Sequence, residues 1–297
     1  MAARTRSAPD GNVGEGQVKA PVGAPASATH STPAKAYDPI WSEIRKEAQA
    51  AMSAEPALGS FVHATILSHG RLEDAICHRL AQRLDQSDID PVLLNQTFVE
   101  LLAPHPELGA AFRADLAAVF DRDPACSRYL EPLLYFKGFH SLVAYRFANA
   151  LWRDGRRDFA LFLQSQSSRT FGIDIHPAAR IGQGIMVDHG TGVVVGETAV
   201  VGNNCSFLHG VTLGGSGKET GDRHPKIGDN VLIGAGAKVL GNIKVGDGSR
   251  IAAGSVVLKD VPAHMTVAGV PAKVVGSAGA EPALEMEQTW VDDFGGL

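Results

Sequence analysis

The run IGDNVLIGAGAKVLGNIKVGDGSRIAAGSVV, residues 227–257, carries an aliphatic residue at every sixth position: Ile227, Ile233, Val239, Val245, Ile251 and Val257. Neither the 3.6-residue period of a helix nor the two-residue period of a half-buried strand gives a spacing of six. Each hexapeptide reads as a short strand whose aliphatic side chain points inward, followed by a corner where Gly or Asn accepts a strained φ. Three such sides close one turn of a triangular coil, and stacked turns pair their backbones at about 4.8 Å. The rhythm starts earlier, at Ile175, Ile181 and Val187, and resumes after a two-residue slip with Val195, Val201, Phe207 and Leu213. Of the 33 glycines, 21 lie between Gly172 and Gly276, which sets the expected limits of this parallel β-helix domain at 172–276.

Outward from the repeats, residues 37–171 read as an α-helical domain. Ile40, Ile44, Ala48 and Ala51 share one face, and Leu72, Ile76, Leu80 and Leu84 recur at i, i+4. Asp90-Pro91 before Val92–Leu102 combines a cap with proline at the first helical position, and further helices are expected over 106–120 and 132–152. A prism of stacked coils has open ends, for which this domain and the segment after Val261-Pro262 are the available caps. Residues 1–36 are Ala, Pro, Gly, Ser and Thr with scattered charges, a composition expected to form a disordered tail. Arg4 and Arg6 suit an organellar leader, but Asp10, Glu15 and several glycines spoil its amphipathic helix. Residues 277–297, acidic and irregular, are expected to form a flexible C-terminal tail.

Composition narrows the function classes. A net charge of −5 gives no basic footprint for nucleic acid or an anionic membrane surface. No stretch has the 18 or more apolar residues of a membrane span, and no secretory signal is expected. Cys77, Cys126 and Cys205 are an odd, scattered set without C-x-x-C, which argues against a disulfide framework and a cysteine-rich zinc site. A cytoplasmic location fits.

Repeats state a scaffold, and interruptions free side chains for other work. The first interruption contains Asp188-His189-Gly190-Thr191-Gly192; the second, between Leu213 and Ile227, holds Gly214-Gly215-Ser216-Gly217-Lys218 and Asp222-Arg223-His224-Pro225-Lys226. The second is long enough to leave the coil, so Arg223 and His224 can reach a neighbouring surface. Asp174 precedes His189 by nearly one full coil, so carboxylate and imidazole can approach; such a carboxylate fixes the tautomer and raises the basicity of the ring. Plainer readings stand beside these: His176 and His189 as corner residues, Asp174 as a turn residue, Asp123 before Pro124 as a helix cap. Gly214–Lys218 lacks the spacing of a Walker loop.

From about Trp41 to Gly276 the chain resembles the serine O-acetyltransferases of cysteine biosynthesis. The likeness rests on Pro132-Leu133-Leu134-Tyr135-Phe136-Lys137-Gly138-Phe139-His140, on Asp174-Ile175-His176-Pro177-Ala178-Ala179, on Gly192–Val200 and on Asp222–Lys226. The resemblance implies an α+β fold, an N-terminal α-helical domain followed by a left-handed parallel β-helix. It implies transfer of acetyl from acetyl-CoA, a co-substrate and not a bound cofactor, to the hydroxyl of L-serine. His189 matches the general base and Asp174 its orienting partner. Asp123 and Asp188 match carboxylates on the serine ammonium, and Arg223 and His224 the groups on its carboxylate. Gly215, Ser216, Ala235 and Ala253 match the CoA-binding positions; no metal is implied. The family also implies side-by-side trimers joined as a homohexamer, L-cysteine as feedback inhibitor, and docking of the C-terminus into O-acetylserine sulfhydrylase. Here the chain ends in Leu297 where many members have isoleucine, and His209 stands where a glutamine can occur.

Three other functions share the scaffold. A zinc carbonic anhydrase would draw on His176, His189, His209 and His224, but Asp188 and the Arg223-His224 pair suit an amino acid better than a metal. A hexapeptide acyltransferase for another hydroxyl or amine is the closer alternative. A non-enzymatic scaffold would be indifferent to loss of His189.

Overall fold

The computed structural model describes residues 37–85, 88–217 and 220–288. The tail at 1–36, the chain end at Leu297 and Lys218 lie outside the described residues. Helices begin where the sequence supplies caps. The Asp38 carboxylate accepts from the Trp41 N–H at 3.2 Å ahead of helix Pro39–Ala54, and Asp90 accepts from the Val92 N–H at 2.7 Å ahead of Pro91–Leu102. Helices Leu72–Arg83, Glu107–Arg122 and Arg157–Phe171 complete the bundle. The stretch expected as one helix over 132–152 is two, Leu130–Leu134 and Lys137–Arg153. The break lets Gly138 sit on the first coil, where a Cβ would collide with the Val187 carbonyl oxygen.

Beyond Gly172 the chain winds into a prism with three faces of parallel strands. The first face stacks Asp174–Ile175, Val194–Val195, Thr212–Gly214, Lys238–Leu240 and Val256–Val257. The second stacks Arg180–Ile181, Val200–Val201, Lys226–Ile227 and Lys244–Val245. The third runs from Met186–Val187 through Ser206–Phe207, Leu232–Ile233 and Arg250–Ile251 to Met265–Gly269, on which Ala272–Ser277 folds back antiparallel. The sixfold rhythm appears as interior columns. Ile175, Val195, Leu213, Val239 and Val257 form one, and Val187, Phe207, Ile233, Ile251 and Val267 another; all ten side chains are buried.

Register converts the two sequence interruptions into geometry. Val194 pairs with Thr212, and Lys238 with Val256, each pair separated by one regular coil of three hexapeptides. Asp174 pairs with Val194 across a coil that is longer by two positions, and Thr212 with Lys238 across one that is longer by eight. The shorter insertion sits at the corner between the third and first faces, residues 188–193, called here the cleft corner. The longer one leaves from the corner between the first and second faces, after Gly214, called here the loop corner.

The first coil has no coil below it, so its backbone groups need other partners. Helix Lys137–Arg153 supplies most of them. Tyr145 Oη donates to the Ala179 carbonyl at 2.7 Å and accepts from the Ile181 N–H at 3.1 Å, while Asn149 Nδ2 donates to the Pro177 carbonyl at 2.8 Å. Arg146 donates to the Gly182 carbonyl at 2.8 Å and forks onto Asp115 at 2.5 and 2.8 Å; Asp115 also accepts from the Ile185 N–H at 3.0 Å. Asp115 is wholly buried, and burial pushes its carboxyl up against the opposing pull of the Arg146 charge.

At the far end the antiparallel pair closes the prism and the chain turns back along the third face. Residues 278–286 therefore do not hang free, as expected of a tail from 277. Ala278 and Ala283 are fully buried, Ser206 Oγ donates to the Ala283 carbonyl at 2.8 Å and Arg250 to the Ala278 carbonyl at 2.9 Å. Two small apolar side chains and two backbone acceptors hold a segment whose overall composition is acidic. Among the described residues no helix is long and apolar enough to cross a membrane.

Arg146→Met leaves a buried carboxylate unpaired and is expected to lower the unfolding free energy by about 3–5 kcal/mol in urea titration. Adding Asp115→Leu removes that charge but leaves the Gly182 and Ile185 backbone groups without partners. The double variant should recover only in part, and full recovery would contradict the capping role.

Candidate active site

At the cleft corner a cavity of about 520 Å³ opens between the prism and the helices, lined among others by Asp123, Glu131, Lys137, Asp188 and His189. Asp123 follows the end of helix Glu107–Arg122 and accepts from the Ala125 N–H at 2.8 Å. The half-buried Asp188 leaves the third face, its N–H bonded to the Phe207 carbonyl at 2.8 Å. Burial raises the Asp188 carboxyl above its ordinary value; the Asp123 charge adds to this and the His189 ring opposes it. Glu131 is engaged by the Ser127 N–H and Arg128, which leaves Asp123 and Asp188 as a seat for a cation.

His189 takes φ +52°, left-handed backbone that non-glycine residues adopt rarely and mostly where surrounding structure enforces it. Its side chain is 79% exposed, with Asp188 at 3.9 Å, and its ring meets the His209 ring edge-on at 6.4 Å between centroids. Asp174 is engaged elsewhere: it accepts from Gln164 Nε2 at 2.7 Å on the first face, and no ion pair joins it to His189 among the described residues. Above His189 the cleft corner continues as a column, in which the Gly236 N–H donates to the His209 carbonyl and the Gly254 N–H to the Ala235 carbonyl, both at 2.8 Å. Ala235 and Ala253 thus lie one coil apart on the edge that rises from His189. Their methyl groups leave room along that edge for an extended molecule.

Arg223 and His224 sit at the loop corner. Arg223 pairs with Glu197 at 2.8 Å, which holds the Glu197 carboxyl below its ordinary value. His224 is buried against Gly196, where its ring fills the space that a Cβ would take. The Thr198 N–H donates to His224 Nδ1 at 3.2 Å, so the neutral ring carries its proton on Nε2 as a donor. Burial, reinforced by the Arg223 charge, lowers the His224 pKa. Thr198 Oγ1 accepts from the Arg223 and His224 N–H groups at 3.0 and 3.1 Å and closes the loop onto the preceding coil. Gly215 and Ser216 lie at the foot of this loop, where the Gly241 N–H donates to the Gly214 carbonyl at 2.9 Å.

The expected site residues therefore fall into two groups. Asp123, Asp188, His189, Ala235 and Ala253 gather at the cleft corner, and Gly215, Ser216, Arg223 and His224 at the loop corner. The corners are one prism face apart, roughly 15 Å at about 3.3 Å per residue. Asp174 opens the first face, paired with Val194 directly after the cleft corner. Nothing in the sequence marks Glu131, and Lys137, Glu197 and Thr198 fall in stretches that carry the family likeness without receiving a role there. Glu197 and Thr198 acquire meaning only when the coil brings them beneath the loop that carries Arg223.

An N-terminal serine acetyltransferase model matches residues 40–144, and a bacterial transferase hexapeptide model of six repeats matches residues 224–259. The serine acetyltransferase of Escherichia coli strain K12 is 52% identical over 250 residues, which cover 84% of this chain and 92% of the relative. The crystal structure of serine acetyltransferase in complex with coenzyme A from Brucella abortus strain S19 superposes with TM-score 0.80 at 57% identity, over 82% of this chain and 97% of that one. A serine acetyltransferase solved in complex with cysteine superposes with TM-score 0.83 at 48% identity, over 85% of this chain and 98% of that one. Sequence identity and shared architecture across both the helical region and the prism thus establish that the chain belongs to the serine acetyltransferase family.

Proposed function

We propose that the chain transfers the acetyl group of acetyl-CoA to the hydroxyl of L-serine, with His189 as general base in the cleft it shares with Asp123 and Asp188. The observation that carries this reading is the convergence of the Asp123 and Asp188 carboxylates and one exposed imidazole at a single prism corner. The serine ammonium pairs with the carboxylates, which brings Oγ to His189. The imidazole takes the Oγ proton as Oγ attacks the thioester carbonyl; the C–S bond then breaks, and the proton passes to the departing thiolate of CoA. The thioester is already activated, so the enzyme's task is to raise the nucleophilicity of a hydroxyl. CoA lies along the Ala235–Ala253 edge, with its thioester end toward His189.

Arg223 and the Nε2–H of His224 suit the serine carboxylate, but they stand at the other corner of the prism. One serine does not span a prism face. The reading therefore includes a neighbouring copy, whose loop corner meets the cleft corner and completes the site. Closed side-by-side packing of this kind gives trimers, and the family resemblance extends it to a dimer of trimers. Gly215 and Ser216 then contact CoA from the neighbouring side. L-cysteine, a serine isostere with a thiol in place of the hydroxyl, fits the same charges and acts as an inhibitor competitive with serine. Docking of Phe294-Gly295-Gly296-Leu297 on O-acetylserine sulfhydrylase is proposed on the family resemblance alone. Three free, buried cysteines suit a reducing, cytoplasmic location.

His189→Ala should lower kcat by about 10²- to 10⁴-fold while acetyl-CoA binding stays unchanged, because the imidazole acts in the transition state. Steady-state kinetics beside a CoA binding isotherm measures both, and activity within a few-fold of the parent would contradict the assignment.

A second expectation concerns pH. Asp188 must be ionised to hold an ammonium, and its raised pKa means that it takes up a proton at a higher pH than an ordinary aspartate does. In His189→Ala, where protonation of the base no longer contributes, serine binding should weaken on acidification through that raised value. Adding Asp123→Asn removes one of the charges that raises it, so the acid limb of binding should move to lower pH even as serine binds more weakly. An acid limb left in place, or moved upward, would show that the two carboxylates do not interact.

A further inference from the structure

We propose that Lys137 is a positioning residue that holds the His189 loop in its left-handed conformation through the Thr191 hydroxyl. The proposal rests on the reading of His189 as the base. The His189 ring has little to fix it: it is largely exposed, and 3.9 Å to Asp188 is too long for a hydrogen bond. Its position is therefore set by the backbone that carries it.

That backbone is unusual along its length. His189, Gly190 and Gly192 all have positive φ, +52°, +70° and +78°, and the Gly190 N–H folds back onto the Asp188 carbonyl at 2.5 Å. Backbone contacts hold the far side of the loop. The Gly192 N–H donates to the Gly172 carbonyl at 2.7 Å, and the Thr191 carbonyl accepts from the Gly210 N–H at 2.8 Å. From the helical side, Lys137 Nζ donates to Thr191 Oγ1. Lys137 opens helix Lys137–Arg153, and the next residue is the glycine whose missing Cβ allows the helix to touch the Val187 carbonyl. The helix start is thus pressed against the residue before Asp188, and its first side chain reaches the residue two beyond His189. The loop is gripped on both sides of the base.

A rival role follows from the same placement. Lys137 also lines the cleft, where its ammonium could meet a substrate carboxylate directly. The two roles differ in what they change. A direct contact is present in the ground state and its loss appears in KM for serine, whereas a misplaced base appears in kcat.

The test compares Lys137→Met, Thr191→Val and Lys137→Arg by steady-state kinetics, thermal melting and hydrogen exchange of the amides at 188–192. Lys137→Met and Thr191→Val should each lower kcat by roughly tenfold to a hundredfold, the cost of a base displaced by about 1 Å. KM for acetyl-CoA and the melting temperature should hold, exchange at 188–192 should quicken in both variants, and Lys137→Arg, which keeps a cationic donor, should restore most of kcat. A raised KM for serine at unchanged kcat would overturn the proposal in favour of direct contact. Exchange and kcat both at parental values in Thr191→Val would overturn it as well. If His189→Ala proves fully active, the base assignment fails on its own, while the exchange rates still read whether Lys137 grips the loop.

Discussion

A coil stacked on coils must end, and its last turn exposes a row of backbone donors and acceptors without partners. Much else in this molecule answers to that constraint. The lower end is closed by a buried carboxylate–guanidinium pair, Asp115 and Arg146, with Tyr145 and Asn149 beside it on the same helix face, all directing hydrogen bonds at the first coil's main chain. A buried ion pair seldom adds much net stability over an apolar replacement. Here its contribution lies in geometry, because the backbone groups it satisfies cannot be satisfied by a leucine. The same helix then delivers its first residues, Lys137 and Gly138, to the cleft corner. Closing the prism and building the cleft are two results of one docking.

Once the coil length is fixed by three hexapeptides, any departure from it must leave the wall. The short insertion produces the left-handed corner that presents His189, and the long one produces the loop that carries Arg223 and His224. The proposed chemistry is thus placed on a rigid scaffold at the points where the repeat is violated. Asp123 and Asp188 stand with His189 and Lys137 at one corner, and Arg223, paired with Glu197, stands with His224 at the other. A zwitterionic amino acid needs both sets, and one chain holds them a prism face apart.

The architecture is legible in the sequence because a period of six is local and has few competing explanations. The aliphatics from Ile175 to Val257 can be assigned to the interior from spacing alone, and the two breaks point to both corners of the site. What cannot be read depends on contacts distant in sequence. Nothing near Asp115 or Arg146 marks them as a capping pair, and the helix break at Tyr135–Phe136 follows from a glycine's approach to Val187, in a different domain. Gly196 looks like any corner glycine until the ring of His224 occupies the space of its missing side chain. The acidic composition after Ser277 suggests a free tail, but the buried alanines at 278 and 283 decide its path.

In the proposed assembly each site is built from the cleft corner of one copy and the loop corner of another. Mixing two inactive variants, His189→Ala and Arg223→Ala, tests it most directly. After co-expression or joint refolding in equal amounts, random assembly into closed trimers should give about one quarter of the sites an intact His189 facing an intact Arg223, and activity should return to about that fraction of the parent. Mixtures that stay as inactive as the separate variants, despite demonstrated exchange of subunits, would mean that each site lies within a single chain and would contradict the account.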